Sequence, residues 1–267
     1  MHDYMQDYHV HTDFSEDSTT RMEAACQAAV ARGIQEIAIT DHCDFGPCDA
    51  HECFPTEDYL AAIRNCREQF RGGLLIRAGI EMGEPHLFSE QAAEVLSGYD
   101  FDIVLGSAHY AKGMQAAWHR AFFDQPLHDA YESYFRQVVD LAADGDFDVL
   151  AHLDLVKRDA RKFGKVYDGP APYADMIRTA LVTLVERGKG IELNTSPLRH
   201  GQPEPCPSVT ILRWYRELGG EILTLGSDAH TPDAVGSHLD TAREMVKSVG
   251  FRRVATFDHR KIGWKEI

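Results

Sequence analysis

The chain has 267 residues, 44% of them hydrophobic, and sets 27 Lys and Arg against 42 Asp and Glu, for a formal charge of -15. That length suits one large single-core domain spanning 1–267, and the acid surplus argues against a nucleic-acid backbone or an anionic membrane surface as partner. No basic segment leads into an apolar core near the start, and no apolar run approaches the ~18 residues of a membrane span. The sequence therefore reads as a cytoplasmic protein with free thiols at its six cysteines.

Residues 7–11 read as a short strand in which His9 and His11, two apart, point to one side and can reach a single metal ion. A helix over 21–32 follows, with Thr19 or Thr20 as N-cap and Gly33 as its stop. The apolar run 36–40 fits a strand buried on both faces and ends in Asp41-His42. Thr56 is expected to cap a helix reaching about residue 70. A third strand over 74–80 ends in Glu81, and 89–96 is helical. Residues 102–106 form a fourth strand, ending in Ser107-Ala108-His109, and 127–143 makes a long amphipathic helix. The strand 148–151 ends in His152. A charged loop, 157–165, leads to the helix 173–187, closed by Gly188. The strand 190–193 ends in Asn194-Thr195-Ser196 and is followed by the helix 208–218. The strand 222–225 ends in Ser227-Asp228-Ala229-His230, and 253–257 is a last strand or an edge piece.

Alternating short strands and helices argue for a parallel sheet, and seven or eight such units in one chain argue for closure into a distorted (βα)7 TIM-like barrel. An open doubly wound sheet is the rival fold. It would scatter the polar strand ends, whereas a barrel brings them to one mouth.

Collected from those ends, the candidate metal ligands are His9, His11, His42, Glu81, His109, His152, Asp228 and His230, with Asp17 in reach from the first loop. Six histidines and three carboxylates are too many for one ion and enough for two or three divalent ions sharing bridging groups. Nitrogen and carboxylate donors without thiolate suit manganese, zinc or iron. Such ions, about 3.5 to 4 Å apart, lower the pKa of a bridging water and stabilise the attacking and leaving oxygens of an in-line displacement. The chemistry indicated is hydrolysis of a small-molecule phosphomonoester, and Glu81, Asp228 and His42 are the candidate catalytic residues.

His9-Val10-His11-Thr12 with Asp17, Thr40-Asp41-His42, Gly79-Ile80-Glu81, Leu105-Gly106-Ser107-Ala108-His109, Ala151-His152-Leu153-Asp154, Glu192-Leu193-Asn194-Thr195-Ser196 through Arg199, and Gly226-Ser227-Asp228-Ala229-His230 resemble, in order, the motifs of the PHP (polymerase and histidinol phosphatase) superfamily, and more closely its histidinol-phosphatase branch. The resemblance runs from about residue 3 to 260. It implies a distorted seven-unit barrel, three divalent ions, and hydrolysis of L-histidinol phosphate to L-histidinol and phosphate in histidine biosynthesis. It also implies one ion on His9, His11, Glu81 and Asp228, with Glu81 bridging, a second on Glu81, His109 and His152, and a third on Asp17, His42 and His230. Many histidinol phosphatases have a histidine where this chain has Asp17.

Arg199 is expected to bring a guanidinium over the mouth for bidentate phosphate binding, with Lys157 and Arg158 as further phosphate contacts. Asp13 or Glu84 is offered for a substrate amine, and Asp41, Asp154 or a water held by a metal for protonating the leaving oxygen. Cys43, Cys48, His51 and Cys53 are loosely spaced like a zinc site, although free loop thiols are the default. Trp118, Phe122 and Phe123 are read as packing residues rather than an imidazole pocket. His51, His86, His119, His128, His200, His238 and His259 are left as ordinary polar residues. The alternatives are a PHP-family phosphoesterase for another phosphomonoester or nucleotide, an amidohydrolase-type C-N hydrolase, and a non-enzymatic PHP module that only binds metal. Amidohydrolases place a lysine at the end of strand four, where this chain has Ser107-Ala108-His109.

Overall fold

The computed structural model describes residues 4–45, 54–116 and 119–267. In chain order the elements are β1 (Gln6–Val10), α1 (Met22–Ala31), β2 (Glu36–Ile39), β3 (His42–Asp44), α2 (Thr56–Gln69), β4 (Leu75–Gly83), α3 (Ser89–Ser97), β5 (Ile103–Ser107), a small hairpin of β6 (Tyr110–Ala111) and β7 (Met114–Gln115), α4 (Arg120–Phe123) and α5 (Leu127–Asp144). Then come β8 (Val149–Leu150), α6 (Val156–Ala160), α7 (Ala174–Glu186), β9 (Gly190–Asn194), α8 (Ser196–Arg199), α9 (Val209–Glu217), β10 (Leu223–Gly226), α10 (Leu239–Val249), β11 (Arg253–Asp258) and β12 (Lys261–Glu266).

The strands β1, β2, β4, β5, β8, β9 and β10 lie side by side in that order, and every pairing among them is parallel. The sheet is nearly closed into a seven-strand barrel, as the alternation of strand and helix predicted. Closure comes at the mouth, where the His11 N–H donates to the Ala229 carbonyl and the Asp228 N–H to the His9 carbonyl, both at 2.8 Å. Tyr8, Ala38, Ile103, Leu105, Val149 and Ala151 fill the inside, and Ala255 and Phe257 of β11 push up into it from below. The last strand is therefore no barrel strand: β11 pairs antiparallel with β12 and plugs the lower end. A larger apolar shell between sheet and helices holds the rest of the core.

Several local details differ from the sequence expectation. Strand β4 continues through Glu81 to Gly83, so this acid lies within a strand, with Leu105 as its β5 register partner. Neither Thr20 nor Thr56 caps a helix by its side chain: the Thr20 hydroxyl donates to the His230 carbonyl at 2.9 Å, and Thr56 to Phe54. Ser208 does cap α9, its oxygen accepting from the Ile211 N–H. Among the described residues no helix is long and apolar enough to cross a membrane.

Candidate metal centre

Register explains how β1 delivers two histidines and a core tyrosine together. Its pairing with β2 slips between Asp7 and Val10, an irregularity that re-aims side chains. Tyr8 stays in the barrel interior while His9 and His11 reach the mouth, with ring centroids 5.0 Å apart. All nine candidate ligands meet here. Glu81 stands at the centre, fully buried. Its Oε2 lies 3.1 Å from His9 Nε2, 3.4 Å from His11 Nε2 and 3.1 Å from His42 Nδ1; its Oε1 lies 3.3 Å from His109 Nε2 and 2.8 Å from His152 Nε2. Asp228 Oδ1 is 3.5 Å from His11 Nε2, and His230 Nε2 is 3.0 Å from Asp17 Oδ2, with His42 Nε2 3.7 Å from the other Asp17 oxygen. Asp17 is half exposed, so this corner is the wet side of the cluster.

Outward hydrogen bonds decide which ring nitrogen faces inward. Ser15 gives its single proton to Asp41 at 2.6 Å, so its oxygen accepts from His11 Nδ1–H at 3.1 Å. In the neutral ring His11 Nε2 is then a bare lone pair, and it has no hydrogen-bond partner. His9 Nδ1 turns to Glu192, His109 Nδ1 to Asp44, and His230 Nδ1 to the Asp228 carbonyl. In the neutral rings of His9, His11, His109 and His230 the inward atoms are then nitrogen lone pairs beside carboxylate oxygens, an arrangement that a divalent cation between them would satisfy. Burial and the facing His230 and His42 push the His11 ring well below the usual pKa, as a neutral ligand requires. Burial alone would raise the Glu81 carboxyl, but His9, His42 and His109 pull it well below the usual range. His9-His11-Asp228, His9-Glu81-His152, His42-Glu81-His109 and His11-His42-His230 are groups whose ligand atoms lie within 4.8 Å of one another. This donor set fits divalent cations. Strain gathers here as well: Asp228 at φ 52° and His152 at φ 23° sit in a region that side chains other than glycine avoid.

The ligands open into a cavity of about 330 Å³, lined also by Arg158, Lys162, Arg199, His200 and Thr231. Arg199 reaches it, with Nη1 donating to the Ser227 carbonyl (2.8 Å) and Ser237 (3.1 Å) and Nη2 to the Asp228 carbonyl (2.9 Å). These use three of five N–H donors, leaving Nε and one Nη2 hydrogen for a ligand. Lys157 does not line the cavity. Its ammonium is buried against Asp154 at 2.8 Å and the Pro205 carbonyl, and the next residue, Arg158, takes the place at the wall, 2.8 Å from Asp228 Oδ2. Neither Asp41 nor Asp154 lines it either: the two oxygens of Asp41 accept from Thr12 and Ser15, and Asp154 from Lys157 and Ser208. Asp13 is exposed, and Glu84 is buried behind the mouth with Oε1 accepting from the His109 and Tyr110 N–H groups. Phe122 and Phe123 are wholly buried packing residues, whereas Trp118, Cys48, His51 and Cys53 lie outside the described residues. Cys43 is buried.

Sequence reasoning missed His200 and Lys162 at the cavity wall. It also passed over the acids behind the histidines, Glu192 and Asp44. A glutamate in the middle of a strand buried on both faces was the available signal for Glu192.

A parallel barrel with clustered imidazoles and carboxylates at the C-terminal ends of its strands defines a metal-dependent hydrolase of the TIM-like class. Residues 7–196 match the PHP domain, and the chain belongs to the PHP family. It is 33% identical to a probable histidinol-phosphatase of Deinococcus radiodurans, over 96% of this chain and 97% of that one. Its identity to the histidinol-phosphatase of Lactococcus lactis is 27%, over 96% and 95% of the two chains. The crystal structure of the Lactococcus lactis enzyme, complexed with Zn, L-histidinol and phosphate, superposes with a TM-score of 0.88 at 26% identity, covering 97% of this chain and 98% of that one.

Proposed function

We propose that this protein is a histidinol-phosphatase, hydrolysing L-histidinol phosphate to L-histidinol and phosphate, with the whole chain, 1–267, as one catalytic unit. The observation that carries the reading is the cavity itself, where a ring of imidazoles and carboxylates faces the guanidinium groups of Arg158 and Arg199. Similarity over nearly the full length to enzymes of that name supports the choice of substrate.

In this reading three divalent ions, manganese, zinc or iron, are held by His9, His11, Glu81 and Asp228, by Glu81, His109 and His152, and by Asp17, His42 and His230. When bound, they make water more acidic and neutralise phosphate charge. Arg199 and Arg158 orient the phosphate from the wall beside Asp228, each as a planar donor suited to carboxylate and phosphate oxygens. Arg158 also holds Asp228 Oδ2 at 2.8 Å, fixing the angle at which that carboxylate presents Oδ1 inward. Buried walls on the barrel side exclude bulk water and strengthen each of these interactions. A cytoplasmic enzyme with a small phosphomonoester substrate, and neither nucleic acid nor membrane as partner, accords with the acid surplus.

The test is phosphate release by the purified protein, loaded in turn with manganese, zinc and iron, from histidinol phosphate and from a panel of unrelated phosphomonoesters. The proposal expects kcat/KM for histidinol phosphate to exceed the others by at least ~100-fold, the discrimination that a few polar contacts to a leaving group provide. Comparable values across the panel would replace it with a general phosphatase.

A further inference from the structure

We infer that Glu192 is a positioning residue of the metal centre, holding two ligands of different proposed ions in one carboxylate; the inference rests on the metal reading above. Glu192 lies in the middle of β9, is buried, and does not line the cavity. Its Oε1 accepts from His9 Nδ1 at 2.8 Å. Its Oε2 accepts from the His152 backbone N–H at 2.9 Å and from Asn194 Nδ2 at 3.2 Å.

The strand between β9 and β1 is β10, so the carboxylate must cross it to reach His9. Gly226 provides the gap. A Cβ there would stand 2.1 Å from Glu192 Oε1 and 2.5 Å from the His9 Cβ, so the absence of a side chain is what admits the contact. By taking the Nδ1 proton, Glu192 fixes the His9 tautomer that turns a bare Nε2 toward Glu81 and Asp228, and it makes that nitrogen a stronger donor. By taking the His152 N–H it holds that residue at φ 23°, a strained angle that aims Nε2 at Glu81 Oε1, 2.8 Å away. One side chain thereby sets the spacing of two ligands from different strands.

The experiment compares Glu192→Gln, Glu192→Asp and Gly226→Ala with the wild-type full chain. Affinities for manganese and zinc are read by competition with a chelator of known affinity, beside the thermal transition of the metal-free protein. An amide has one acceptor oxygen for three donors, aspartate keeps the charge but loses the reach, and alanine at 226 displaces an unaltered carboxylate. The expected result is a loss of metal affinity of about 10- to 100-fold in Glu192→Gln, the range seen when such partners are removed, with smaller losses in the other two. Affinities within about 2-fold of wild type in all folded variants overturn the inference, as does a lowered thermal transition with unchanged affinity. Metal affinity is read without substrate, so wild-type protein that binds metal but leaves histidinol phosphate intact removes the substrate reading and not this one.

Discussion

The two ends of the barrel use the same side chains to opposite purpose. At the lower end, buried carboxylates at the strand starts are matched inside the protein: Glu36 with Arg77 at 2.7 Å and the Tyr8 hydroxyl at 2.6 Å, Asp102 with Arg67 at 2.6 Å, Asp148 with Arg260 at 3.0 Å. At the mouth, Glu81 and Asp228 face a ring of imidazoles, of which His11 turns Nδ1 outward to Ser15, and His11 Nε2 and His42 Nδ1 have no hydrogen-bond partner. The lower acids are matched by fixed cations, whereas the mouth sets its acids, Asp228 with its Arg158 partner included, among imidazoles able to hold a metal. A buried acid carries chemical information only once its partners are known: arginine, tyrosine and backbone N–H groups at the bottom, imidazoles at the mouth.

The largest effect that would break this contrast comes from removing the central acids. Glu81→Ala and Asp228→Asn should lower turnover by at least ~10³-fold in metal-replete protein while leaving the circular dichroism spectrum intact; near-normal steady-state rates would refute their assignment. Next comes the cavity wall. Arg158→Ala or Arg199→Ala should reduce kcat/KM by roughly 10- to 100-fold, since a charge-assisted hydrogen bond is worth about 1.5–3 kcal/mol. Lys157→Met, one residue away and buried, should destabilise the fold through an unpaired Asp154, a loss visible in urea unfolding.

The lower end should answer differently. Asp102→Ala strips the acceptor from Arg67 and from the Ala78 and His259 N–H groups. It should cost about 1–3 kcal/mol in denaturant unfolding and leave kcat/KM within ~2-fold. Activity lost in proportion to stability would erase the distinction between the ends.

The smallest effect concerns Glu84, just behind the mouth. Burial and the nearby Asp44 push its carboxyl up to about 7, although His109 and two backbone N–H groups oppose them. Its folded pKa therefore lies above the ordinary 4.5, so the fold binds the proton more tightly than the unfolded chain. The stability it contributes is complete below pH 4.5 and is lost as pH rises through about 7. Glu84→Gln should flatten that part of the metal-free stability curve, as thermal scans at pH 5 and pH 8 would register.

The parallel barrel was legible in the sequence because each strand announces itself by an apolar run and ends in a polar cluster, as Ala151-His152 and Gly226-Ser227-Asp228 do. Eight of the nine proposed ligands were legible for the same reason, and Asp17 from its place on the first loop. What stayed hidden depends on partners distant in sequence. Arg158 and Lys157 are adjacent and both cationic, and only the helical turn of α6 sends one to the wall and the other to Asp154. Nothing local distinguishes Asp41, locked by Thr12 and Ser15, from an acid free to give up a proton. Strand β12 escaped notice because its alternation, Lys261 to Glu266, leaves exposed and half-exposed residues on both faces, with no buried apolar side to show a period.

The most direct measurement is a crystal of the protein grown with manganese, examined at the manganese absorption edge. Anomalous peaks between Glu81 and the surrounding imidazoles, with Asp228 and Asp17 among the ligands, are the expected result. A mouth empty of anomalous density, in crystals where the same side chains still converge, would contradict the metal centre and the hydrolase built on it.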